Sequence, residues 1–155
     1  NVLPFLRERI PNAELRLVGE PDSSVPNLAR RAGVTVVGRV PDMEPELARA
    51  DLVVVPIRFG SGTRVKILEA FAHRIAVVST TIGAEGLGVE NRKQLLIGDD
   101  PQDFARLCAE LLLDDQLRLT LIERANELFL AKHQWTTARA RIKSLAFELS
   151  NQAGR

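Results

Sequence analysis

Five short apolar runs, each bounded by Gly, Pro or Asp, constrain this chain more than any other feature: ELRLVGEP (14–21), VTVVGRV (34–40), DLVVVPI (51–57), IAVVSTT (75–81) and QLLIG (94–98). They are rich in Val, Ile and Leu with little polar alternation, the pattern of strands covered by helices on both faces. Between them lie helical segments, SVPNLARRAG (24–33), MEPELARA (43–50) and GTRVKILEAFAHR (62–74). A β-α-β-α series of this kind predicts an α/β fold, a Rossmann-like doubly wound parallel sheet of about five strands.

After the fifth run the pattern turns to helices alone. In DDPQDFARLCAELLLDD, Asp100 suits the N-cap, Pro101 the first helical position and Asp103 the first turn. Phe104, Leu107, Cys108, Leu111 and Leu112 then recur at i, i+3, i+4, i+7 and i+8 as one apolar stripe. A second helix is predicted over about 115–132 and a third over 137–150, the latter with Ala138, Ile142, Leu145, Ala146 and Leu149 on one face. The chain shows no repeat, low-complexity tract or long linker, and residues 1–155 read as a single domain.

Charge excludes some partners. Lys and Arg total 21 against 20 Asp and Glu, so no global field gathers nucleic acid or anionic membrane, and any anion site must be local. The one cysteine, Cys108, falls in an apolar stripe and suits a core position in a reducing compartment. No run approaches a membrane span and residues 1–25 lack the regions of a secretory signal, which makes the cytoplasm the default expectation. The chain opens inside an apparent helix, NVLPFLRERI, without a starting methionine, and is expected to be a segment of something longer.

In a parallel sheet the strand-to-helix loops all emerge at one edge, where ligands bind. Here those loops are Gly19–Pro21, Arg39–Asp42, Arg58–Thr63, Thr81–Gly88 and Gly98–Asp100. In FGSGTRVKILEA (59–70), Gly60 and Gly62 lead into a helix expected to start near Thr63, whose unpaired amides would favour a phosphate. Arg64 and Lys66 place two cations in the first turn, where the helix dipole disfavours them unless an anion is present. The competing reading is a solvated loop with Lys66 paired to Glu69 at i, i+3. Glu69 interrupts the apolar run VKILEAFA and must find donors: a backbone amide, Lys66 or Arg64, or the hydroxyls of a ribose or sugar. The stretch lacks the G-x-x-x-x-G-K-[ST] P-loop, and Gly60, Gly62 and Val65 give only half of G-x-G-x-x-G, which makes NAD the weaker alternative.

At these residues the chain resembles the donor-binding core of the retaining nucleotide-sugar glycosyltransferases of family 4, especially the bacterial branch reading G-x-G-T-R-x-K-x-x-E-A. PNAELRLVGEP, VTVVGRVPDMEPELARADLVVVP, LLIGDDPQDFARLCAELLLDD and Trp135 are similar to such enzymes in order and spacing, over nearly the whole chain. The resemblance implies one half of a GT-B fold, the half that holds a UDP- or GDP-sugar as substrate, with no further cofactor. It implies that Glu69 meets the ribose, that the backbone from Thr63 to Lys66 meets the diphosphate with Arg64 and Lys66 as side-chain partners, and that Arg39 and Val40 mark the loop facing the base. The first carboxylate of the family's E-x(7)-E pattern falls at Ser61, so that contact is missing. Arg74 stands where a helix-ending Gly is usual and Ala76 where Pro is usual.

The resulting candidate site comprises Arg39, Val40, Gly60, Ser61, Gly62, Thr63, Arg64, Val65, Lys66 and Glu69, with Glu85 as a sugar-facing candidate in the IGAEGLGVE loop. Glu90 is a weaker one; His73 and His133 suit surface or packing roles, no zinc-ligand spacing occurs, and no catalytic residue is assigned. The expected activity is hexosyl transfer to an unidentified acceptor with retention. An absent N-terminal domain would hold the acceptor, the 137–150 helix would cross onto it, and any membrane association would be peripheral and run through it. This chain alone is expected to be inactive. The alternatives are a nucleotide-sugar epimerase or NAD-dependent oxidoreductase fragment, and a catalytically inactive interaction domain.

Overall fold

The computed structural model describes residues 2–20, 25–60 and 64–133, with the side chains of residues 25 and 26 excepted. Along the chain come α1 (Val2–Arg7), β1 (Leu15–Val18), α2 (Val25–Ala29), β2 (Val34–Gly38), α3 (Glu44–Leu47) and β3 (Val53–Val55). They are followed by α4 (Val65–Ala72), β4 (Val77–Ser79), α5 (Thr81–Ala84), β5 (Leu96–Ile97), α6 (Pro101–Leu113) and α7 (Asp115–Lys132). All five predicted strands form and every ladder is parallel. Among the described residues the hydrogen-bonded ladders are two, β1–β2 and β3–β4–β5. The helix predicted over 137–150 and Trp135 lie outside the described residues.

Both faces of the β3–β4–β5 sheet are covered, which is why its strands carry no polar alternation. Val78, Leu96 and Ala76 pack with Phe104, Leu107, Cys108 and Leu111 of α6 and Leu6 of α1. Val77 and Val55 turn the other way, toward Ile67, Ala70 and Phe71 of α4 and Ala125 of α7. Helix α6 begins as its sequence dictates: the Asp100 carboxylate accepts from the amides of Gln102 (2.8 Å) and Asp103 (3.2 Å), with Pro101 opening the helix. Cys108 is free and buried, and desolvation pushes its thiol up to about 12, so it serves as a core residue.

Two local features depart from the sequence reading. The Thr81–Gly88 segment contains one helical turn, α5, nucleated by the Thr80 hydroxyl, which accepts from the Gly83 amide at 2.9 Å. Helix α4 starts at Val65, later than expected, with Arg64 as its N-cap residue.

Candidate functional site

The loops following β3, β4 and β5 meet at the carboxyl edge of that sheet and are tied to one another by side chains. Ser79 donates its hydroxyl to the Val55 carbonyl at 3.2 Å, and Thr80 donates to the Ile57 carbonyl, so the end of β4 holds the exit of β3. Thr81 binds Asp99 twice, through its amide (2.8 Å) and its hydroxyl (2.7 Å), joining the exits of β4 and β5. The Thr81 hydroxyl and then its amide hold the Asp99 carboxyl below the usual aspartate range. Gly83 makes the packing possible, since a Cβ there would lie 2.9 Å from the Val55 carbonyl and 3.0 Å from the Thr80 hydroxyl. Between these loops lies an open cleft of about 460 Å³, lined by Ile57, Arg58, Thr80, Thr81, Asp99 and Pro101 among others.

Arg64 is the unusual residue of this edge. Its side chain is only 8% exposed, yet its partners are few. One guanidinium nitrogen donates to the Gly60 carbonyl at 3.3 Å and lies 3.8 Å from a Glu85 carboxylate oxygen, while Nε is buried with no partner among the described residues. A buried cation with an unmet donor is costly unless an anion completes its shell. Of the two readings the sequence allows for Arg64, a partner for an anion or a solvated side chain, packing excludes the solvated one. Gly60, at φ 120°, supplies a backbone that other residues adopt only with strain, although open space surrounds it.

The other predicted residues divide. Lys66 and Glu69 are exposed on α4 and do not pair with each other, so the i, i+3 bridge of the competing reading does not form. Nor does Glu69 need a protein donor: Ile67, Ala70 and Phe71 turn inward, and its own position on α4 is exposed. Val65 is exposed. Arg39 and half-buried Val40 follow β2, in the other ladder, with Arg39 4.0 Å from Glu20 and both side chains in solvent. Ser61, Gly62 and Thr63 lie outside the described residues.

Glu90 is engaged elsewhere, its carboxylate 2.7 Å from Lys93. His73 ends α4 at the opposite edge, and His133 packs with Nε2 3.4 Å from the Leu87 carbonyl, in line with packing roles. Among the described residues no group of His, Cys, Asp or Glu could hold a metal ion, and no helix is long and apolar enough to cross a membrane. The Thr80, Thr81 and Asp99 lattice was missed in sequence, where only the Ser-Thr-Thr run ahead of a Gly-rich loop could have flagged it.

The profile of the family described as glycosyl transferases group 1 matches residues 1–114. The chain belongs to this family. The group 1 chain is 29% identical over 161 residues to the phosphatidyl-myo-inositol mannosyltransferase of Mycolicibacterium smegmatis, an alignment covering 98% of this chain and 41% of that protein. Among solved structures, Anabaena HepE in complex with UDP and glucose superposes at a TM-score of 0.79 with 19% identity, over 94% of this chain and 43% of that one. Sucrose-phosphate synthase from Thermosynechococcus elongatus gives a TM-score of 0.79 with 22% identity, over 97% and 42%. The group 1 chain thus spans about two fifths of the length of these relatives. At such identities the structures establish the fold, Rossmann-like α/β of the GT-B kind, as expected from the sequence.

Proposed function

We propose that this chain is the nucleotide-sugar donor-binding domain of a retaining glycosyltransferase of hexosyltransferase type, holding a UDP- or GDP-sugar at the carboxyl edge of its parallel sheet. One observation carries the reading: a buried guanidinium, Arg64, stands at the start of α4 with, among the described residues, no partner for Nε and one loose carboxylate neighbour. A diphosphate is the anion that fits. It would take the free donors of Arg64, the exposed ammonium of Lys66 and the first amides of α4, where the helix dipole favours negative charge. Glu69, on the exposed face of the same helix, would accept from the ribose hydroxyls, and the loop at Arg39 and Val40 would face the base. Family membership and the UDP bound in the Anabaena structure support this reading.

Chemically, the group that gains charge is the departing nucleoside diphosphate as its bond to the anomeric carbon breaks. Fixed cations at that diphosphate stabilise the transition state more than the ground state. The acceptor is proposed to lie on a further domain, so residues 1–155 alone bind nucleotide without transferring sugar.

Parallel calorimetric titrations of the chain with UDP, GDP, ADP and NAD test the proposal. Binding of a nucleoside diphosphate in preference to NAD is expected. Binding of NAD alone, or of none of the four, would overturn it, and steady transfer to an acceptor by this chain alone would refute the division of labour.

A further inference from the structure

Resting on the nucleotide-sugar reading, we propose that Glu85 is the hydroxyl acceptor for the transferred sugar, set beside the diphosphate by its contact with Arg64. Glu85 follows α5, whose single turn is fixed by the Thr80 cap and by Gly83 packed against the Val55 carbonyl. Its carboxylate lies 3.8 Å from the Arg64 guanidinium, is 76% exposed, and makes no hydrogen bond among the described residues.

Other carboxylates of this edge are already engaged. Both oxygens of Asp99 accept from Thr81, and Asp100 caps α6. Glu90 pairs with Lys93, Asp42 accepts from the Glu44 amide, and Glu20 lies beyond β1 in the other ladder. Glu69 shares α4 with the cations, on the nucleoside side of the reading above. That leaves Glu85 as the carboxylate with free lone pairs next to the buried guanidinium.

The chemistry of the ligand matches this pair. A nucleoside diphosphate sugar joins a dianionic diphosphate to a neutral ring of hydroxyls, so its site needs donors and acceptors side by side. Arg64 and Glu85 are such a neighbouring pair, and the guanidinium neutralises a carboxylate that would otherwise repel the diphosphate. The same position lets Glu85 discriminate among sugars by the hydroxyls they present.

The test compares UDP with UDP-glucose and GDP with GDP-mannose, titrated into wild-type chain and into Glu85→Gln. Thermal melting of the variant checks that this exposed substitution leaves the fold intact. The variant is expected to lose about tenfold or more in affinity for the sugar conjugate, and markedly less for its parent diphosphate. Equal losses for both ligands would mean that Glu85 only holds Arg64, and unchanged binding of both would remove it from the site; either result overturns the proposal. Failure of the wild-type chain to bind any of the four ligands is a separate outcome, which overturns the nucleotide-sugar reading and this inference with it.

Discussion

The amide of Ile75 donates to the carbonyl of Ala70 at 2.9 Å, closing the end of α4 around Arg74, whose φ is 57°. With the Arg74 amide bonded to the Phe71 carbonyl at 3.2 Å, this is a Schellman motif in which the left-handed position carries an arginine instead of glycine. A side chain in that conformation costs about 1–2 kcal/mol.

Arg74→Gly is therefore expected to stabilise the chain by about 1 kcal/mol, raising the thermal midpoint by about 2–4 °C. Differential scanning calorimetry of the two proteins decides it, and a lower midpoint for the glycine variant would show that the Arg74 side chain contributes more than its backbone strain costs.

Arg64 and Lys66 separate the diphosphate from the nucleoside. Replacing both by Gln should cost at least tenfold more affinity for UDP or GDP than for uridine or guanosine, because charge-assisted bonds contribute about 1.5–3 kcal/mol each. Arg64→Lys should not restore binding, since an ammonium cannot replace a buried fork of donors. Titrations in which nucleoside and diphosphate lose affinity alike would count against phosphate contact.

Glu69 is exposed and unpaired among the described residues, so its removal leaves the fold untouched. Glu69→Ala should weaken the bound nucleoside diphosphate by more than about tenfold, and the 2′,3′-dideoxy nucleotide much less, if the carboxylate accepts from the ribose. Equal affinity of variant and wild type for the ribonucleotide would exclude it from the site.

Acid should destabilise the fold through Glu46. Its carboxylate grips Arg16 of β1 at 2.9 and 3.0 Å, and this hydrogen bonding lowers the Glu46 pKa below the glutamate range. A lowered folded value means the unfolded chain binds more protons, so the contribution is present above the unfolded pKa and disappears as pH falls through the folded one. Thermal midpoints should drop as pH falls below the ordinary glutamate value of about 4.3, less steeply in Glu46→Gln. Parallel curves for the two proteins would assign the acid loss to other groups, such as Asp99, which is also shifted down.

Where local chemistry is self-sufficient, the sequence by itself determined the outcome. Five Val- and Leu-rich runs became five parallel strands, and those of β3, β4 and β5 can be apolar throughout because both faces of that sheet are covered. Asp100 and Pro101 started α6 and its stripe became core, since capping and helical period act within a few residues. The edge that gathers the glycine-bearing loops was legible too, because it follows from parallel topology. Only the tertiary structure decided the state of the side chains at that edge. Thr81 and Asp99 are 18 residues apart, Ser79 and Val55 24, and no period or motif in the sequence links them. Arg64 and Lys66 are both cations two positions apart, yet one is enclosed beside Glu85 and the other lies in water. Burial is a property of the neighbours the fold brings together, so it turned a plausible surface arginine into the buried, partly unpaired cation on which the proposed function rests.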